Sequence, residues 1–113
     1  MLDNESYYSI SNKLKSEGRV NEAFEVMLNN LHLEDVIALK LELSARMVKN
    51  KLYGFNIWNN ILNITREAVF KFAIVVTNTE SDCLRLLNMN HFDYVKYYKL
   101  YQIERYFKKR DYR

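Results

Sequence analysis

The chain has no proline and only two glycines among its 113 residues. Sandwiches and barrels need a tight turn every eight to twelve residues or so, and long linkers need flexible punctuation; neither can be written with so few breakers. The sequence therefore predicts an all-α protein, a small single-domain helical bundle. Its length suffices for one core and not for two independent ones.

Helical periodicity supports this along most of the chain. Ser6 or Ser9 can cap a first helix running to about Ser16, with Tyr8, Ile10 and Leu14 as its apolar positions, and Gly18 ends it. Val20, Ala23, Phe24, Met27 and Leu31 lie on one face of a second helix over 20–31, so the first two helices make a hairpin. After the joint His32-Leu33, a longer helix is expected from Leu33 to Lys51. Its apolar stripe is Val36, Leu39, Leu43, Met47 and Val48, with Lys40, Glu42, Arg46 and Lys49 mostly off it. Gly54 stops this helix, and the flanking Tyr53 and Phe55 are expected to tuck into the core.

Two stretches then share one grammar. In Ile61-Leu62-Asn63-Ile64-Thr65-Arg66, a helix opened by Asn56 would close on Leu62 and Asn63 would take the left-handed turn. Ile64 would plug the angle, and Thr65 would cap a second helix, Arg66 to about Val76. Asn tolerates left-handed backbone better than other side chains, and Thr is a good N-cap. The pattern returns in Leu86-Leu87-Asn88-Met89-Asn90-His91. A capping box at Thr79-Glu80-Ser81-Asp82 precedes it, and a final helix is expected from His91 to about Lys109. Both stretches read as helix-turn-helix units, which divides the chain into a scaffold (1–55), a helix-turn-helix region (56–90) and a C-terminal helix and docking tail (91–113).

A major groove admits one helix, whose N-terminal turn reaches the base edges. In the first unit the DNA-binding candidates are Thr65, Arg66 and Lys71, with Arg66 the natural guanine reader or phosphate clamp. The apolar Phe70, Phe72, Ile74 and Val75 argue instead that this helix is scaffold. In the second unit the candidates are Asn90, His91 and Lys96, with Asp93 and Tyr97 on the same groove-facing set. The string Cys83-Leu84-Arg85-Leu86-Leu87-Asn88-Met89-Asn90-His91 is similar to the Fis-type helix-turn-helix. Leu86, Leu87, Met89 and Asn90 match that pattern, Tyr94 and Tyr98 take its buried leucine places, and His91 and Asp93 depart from it. Either unit could bind DNA, both could share the helix 66–76, or both could be plain helix–helix corners.

Charge sharpens the expectation of an anionic partner. Residues 1–87 carry ten Lys/Arg against eleven Asp/Glu, whereas 88–113 carry seven against three and six of the nine tyrosines, so the net charge of +3 sits at the C-terminal end. Tyr101, Arg105, Tyr106, Phe107, Lys108 and Arg110 are the candidate partner-binding anchors, since Tyr and Arg are frequent hot-spot residues. A terminal helix packed on its own domain is the alternative.

Other chemistry finds little support. His32 and His91 are far apart and lack neighbouring ligands at metal spacing. No glycine-rich phosphate loop can form around the isolated Gly18 and Gly54, and Cys83 among apolar helix positions reads as a core thiol. A single cysteine excludes an internal disulfide and suits a reducing cytosol. No signal peptide is evident at the start of the chain, and the run Ala68–Val76 is too short to cross a membrane. No enzyme, metal or resident cofactor is expected.

Taken whole, the chain resembles the PigR (FevR) family of small Francisella virulence regulators: similar in length, proline-free, rich in Asn, Lys and Tyr, with a helix-turn-helix and a basic aromatic C-terminus. The resemblance implies a cytoplasmic, sequence-specific transcription activator on double-stranded promoter DNA. It further implies docking on RNA polymerase through an MglA–SspA-like heterodimer, with ppGpp bound by that heterodimer. Tyr101 to Arg113 would then be the docking element, leaving DNA to the unit around Thr65 and Arg66, with Asn90, His91 and Lys96 as the rival site. A helical adaptor that binds protein and not DNA is the second expectation.

Overall fold

In the computed structural model, residues 8–49 and 56–107 are described, and 77% of them are helical with no strand among them. The helices are α1 (Ile10–Ser16), α2 (Glu22–Asn29), α3 (Leu33–Met47), α4 (Ile57–Val76), α5 (Glu80–Leu87), α6 (His91–Leu100) and α7 (Ile103–Tyr106). The bundle is all-α, as the missing breakers require.

The first two helices form the expected hairpin. The Ser9 side chain caps α1 by accepting from Asn12 N, and Asn21 caps α2 by accepting from Phe24 N. Gly18 takes φ +73°, and the Gly18 and Arg19 N–H groups bond back to the Lys15 and Leu14 carbonyls at 3.0 and 2.9 Å. This is the glycine-ended helix closure that a side chain with a Cβ enters at a cost. The Ser11 hydroxyl and the Lys15 ammonium hold the Glu25 carboxylate across the hairpin. The hydroxyl's hydrogen bond, ahead of the lysine's, lowers the Glu25 pKa. α3 ends at Met47, short of the expected Lys51, and Tyr53, Gly54 and Phe55 lie outside the described residues.

α4 corrects the first of the two expected turns. The segment 57–76 is one continuous twenty-residue helix. Asn63 and Thr65 are ordinary helical residues on an exposed surface, and Ile64, expected to plug an interhelical angle, is 58% exposed. Each of these residues costs only up to about 0.7 kcal/mol in a helix interior. Opening a turn would instead break the hydrogen-bond ladder and require a second, costly nucleation. With neither Gly nor Pro in the stretch, propagation wins.

The core lies at the C-terminal end. Phe70, Ala73 and Ile74 of α4, Cys83 of α5, Ile103 of α7 and Phe107 are buried, with Tyr8, Leu87, Met89, Tyr94, Tyr97, Tyr98 and Tyr101 packed against them. None of α1, α2 or α3 contributes a buried residue.

The expected final helix His91–Lys109 is also corrected. It ends at Leu100; Gln102 turns left-handed at φ 52°, and α7 folds back so that Ile103 and Phe107 are fully enclosed. Two apolar side chains with no exposed area each gain about 1.5–3 kcal/mol by burial. That gain exceeds the cost of a non-glycine left-handed residue, about 1–2 kcal/mol.

Candidate nucleic-acid interface

The second expected turn is formed. The Thr79 hydroxyl caps α5 by accepting from Asp82 N at 3.1 Å. At the other end Asn88 adopts φ 54°, ψ 50°. Its N–H bonds the Arg85 carbonyl at 3.3 Å, and that of Met89 bonds the Leu84 carbonyl at 3.1 Å. This is a Schellman closure with Asn in the position usually held by Gly. Two residues on, the Asn90 side chain accepts from Asp93 N at 2.7 Å and opens α6. The string Leu87-Asn88-Met89-Asn90 thus closes one helix and caps the next.

Aromatic packing fixes which face of α6 points out. The Phe70 ring on α4 meets Tyr94, Tyr97 and Tyr101 at centroid distances of 5.6, 6.3 and 5.7 Å, and Tyr97 stacks on Tyr101 at 5.6 Å. Such offset and tilted rings favour one another beyond simple burial. Desolvation of the hydroxyl pushes Tyr94 up to about 12. It also raises Tyr98, whose hydrogen bond with Tyr8 adds to the effect, and it raises Tyr101. Burial likewise raises the Cys83 thiol, and at 1% exposure this cysteine packs in the core.

With the tyrosines inward, the outward face of α6 carries Phe92, Lys96 and Lys99 at i, i+4 and i+7, with Leu100 beside them. Phe92 is 76% exposed. Lys96 lies over the Tyr97 ring at 5.3 Å, an exposed cation–π contact. Among the described residues neither lysine has an acidic partner within 4 Å. His91 at the start of α6 pairs through Nδ1 with the Glu80 carboxylate.

The expected site residues therefore separate. Asn90, His91 and Lys96 stay together at the exposed end and face of α6, although the Asn90 carbonyl oxygen is spent on its cap. Tyr97 and Asp93, expected to face the groove, do not: Tyr97 is turned into the aromatic cluster, and Asp93 lines a cleft between α4 and the turn. Thr65 and Arg66 sit on the opposite wall of that cleft, which measures about 400 Å³. They are mid-helix side chains and not the cap and first residue of a reading helix. Lys71 is engaged elsewhere, 2.7 Å from Glu67 and 3.9 Å from the centre of the Tyr106 ring, whose surroundings also include Lys13 at 4.5 Å.

The partner-binding set is corrected more sharply. Phe107 is fully buried, packed on Tyr8 and Tyr106 at 4.7 Å each, so it is a core residue and not an anchor. Tyr101 and Tyr106 are half-buried in the same cluster. Arg105 is exposed and donates a hydrogen bond to Gln102 at 3.4 Å. Lys108 and Arg110 lie outside the described residues.

Phe92 and Lys99 were missed. Their spacing with Lys96 is visible in the sequence, but periodicity alone leaves three candidate faces on a helix rich in tyrosine. No helix is long and apolar enough to cross a membrane, and no group of three potential metal ligands occurs among the described residues. No protein-family model matches the chain, and neither does any curated protein or solved structure.

Proposed function

We propose that the chain binds double-stranded DNA through α5 and α6, with α6 as the helix that enters the major groove, and that it acts as a transcription regulator. The observation that carries this reading is the outward face of α6. Behind a tight Asn88–Asn90 turn, it presents Lys96 and Lys99 free of acidic partners among the described residues, while its tyrosines pack it on Phe70 of α4. A short turn with the second helix exposed is the docking geometry of helix-turn-helix proteins. Lys96 and Lys99 would contact phosphates, His91 and Asn90 would stand nearest the base edges, and Phe92 would offer apolar contact to a thymine methyl. Arg66, one helix away, would be a flanking phosphate contact.

Activation through RNA polymerase and an MglA–SspA-like heterodimer with its ppGpp is proposed only on the resemblance. Of the anchors expected for that docking, Arg105 is exposed, and Lys108 and Arg110 lie outside the described residues. The adaptor reading keeps one observation in its favour: Phe92 and Leu100, 76% and 62% exposed, flank the same lysines and would suit a protein groove.

Selection of binding sites from a random duplex library, followed by affinity measurement over a range of salt, separates these readings. Phosphate binding weakens steeply with salt, and Lys96→Ala with Lys99→Ala should reduce the slope of log K against log salt by about 1.8, at about 0.9 per contact. Failure to enrich any sequence, together with a salt-independent protein capture, would transfer the surface to the adaptor reading.

A further inference from the structure

The cleft between α4, the Asn88 turn and α6 has the make-up of a small-molecule site. Such sites measure about 300–1,000 Å³ and are mostly apolar, with a few polar groups converging on them. This one measures about 400 Å³. Val69, Phe70 and Met89 supply apolar lining, and Tyr97 stacks on Tyr101 at 5.6 Å with 18° between the ring planes, which gives the cleft an aromatic side. Among the described residues its only charged members are Arg66 from α4 and Asp93 from α6.

These two charges share the cleft without meeting. Among the described residues neither Arg66 nor Asp93 has an ion-pair partner within 4 Å, each other included. The cap at the start of α6 uses the backbone N–H of Asp93 and leaves its carboxylate to the cleft. The Arg66 charge reaches the aromatic side: desolvation raises the Tyr101 hydroxyl, Tyr97 and Glu67 add to that, and Arg66 opposes them. A cation, an anion and a stacked aromatic pair together select the ligand. A nucleotide would satisfy Arg66 but bring like charge to Asp93, and a simple aromatic amine would satisfy Asp93 but oppose Arg66. An aromatic residue inside a peptide carries neither charge. We propose that the cleft binds a free aromatic α-amino acid, with its carboxylate on Arg66, its ammonium on Asp93 and its ring against Tyr97 and Tyr101. A guanidinium donates to a carboxylate through two parallel bonds, and ring on ring adds to the burial.

This site does not rest on the DNA reading: Lys96 and Lys99 take no part, and it is tested on the full chain without DNA. Calorimetric titration with L-phenylalanine should give a dissociation constant of about 1 mM or tighter. Phenylpropanoate, which lacks the ammonium, phenethylamine, which lacks the carboxylate, and L-leucine, which lacks the ring, should each bind about tenfold more weakly. Arg66→Met should weaken L-phenylalanine and phenylpropanoate about tenfold and leave phenethylamine unchanged, and Asp93→Asn should weaken L-phenylalanine and phenethylamine and leave phenylpropanoate unchanged. A fold defect would weaken all three ligands together, so this crossed pattern separates a contact from a structural role. In methionine-methyl NMR of the wild type, L-phenylalanine should shift the Met89 signal and leave those of Met27 and Met47 in place. No heat and no Met89 shift at about 10 mM L-phenylalanine overturns the proposal, that being well above the expected dissociation constant. Binding that both substitutions leave unchanged, or that L-leucine matches, overturns it too.

Discussion

Phe107→Ala tests the most consequential departure from expectation, the return of the C-terminal segment into the core. Phe107 has no exposed surface and its ring lies 4.7 Å from those of Tyr8 and Tyr106. Truncating a buried Phe to Ala costs about 3–5 kcal/mol, from lost transfer energy and the cavity left behind. At about 2.1 cal/mol/K per residue, 113 residues unfold with an entropy near 240 cal/mol/K, so the midpoint should fall by about 13–21 °C. Thermal and urea unfolding followed by circular dichroism would measure it, with Leu100→Ala as the control. Leu100 is 62% exposed and should change stability by less than about 0.5 kcal/mol. If Phe107→Ala costs no more than Leu100→Ala, the segment after Tyr101 is not packed as described, and its aromatic residues are open to a partner after all. The same burial means that truncation after Leu100 removes Ile103 and Phe107 from the core. Loss of partner binding in such a truncation would therefore report unfolding and not the loss of a docking tail.

Asn63→Ala should stabilise the protein by about 0.5 kcal/mol because Ala is the better helix former in the interior of α4, whereas Asn88→Ala should destabilise it by about 1–2 kcal/mol because Asn88 is left-handed; equal signs in urea melts would contradict one of the two assignments. Asn88→Gly should be neutral or stabilising by the same measurement. The raised pKa of Tyr94, about 12 against 10.0 for the free group, has a definite linkage sign. Its contribution is fully present below pH 10 and is lost as pH rises toward 12, because the unfolded chain releases the proton first. Unfolding midpoints should fall across that window and tyrosinate absorbance should appear cooperatively with the loss of helix; a simple titration at the ordinary tyrosine pKa with helix retained would refute the buried cluster. In the DNA titrations, Arg66→Ala should weaken binding mildly and uniformly across sequences, since on the proposed reading it would contact phosphate and not a base.

The absence of proline and the scarcity of glycine favoured the all-helical class, because sandwiches and barrels need a Gly- or Pro-bearing turn every eight to twelve residues or so and this chain has only two glycines. Local chemistry also determined the caps at Ser9, Asn21, Thr79 and Asn90 and the closures at Gly18 and Asn88, since a cap is a bond between side chain and backbone within a few residues. The same local grammar misjudged Asn63-Ile64-Thr65. Both strings permit a turn, and what decides is whether turning buries more than it breaks: at Asn88 the turn sets Leu87 and Met89 against the core, whereas at Asn63 no burial would repay the interrupted helix. The site divides likewise. Asn90, His91 and Lys96 were legible as neighbours on one helix, but the outward face of α6 was not, because the Phe70 ring that claims the tyrosines is more than twenty residues away in the chain. Only the tertiary structure could convert Phe107 from a surface anchor into a core residue, because burial is a property of what a side chain meets and not of its own sequence neighbours.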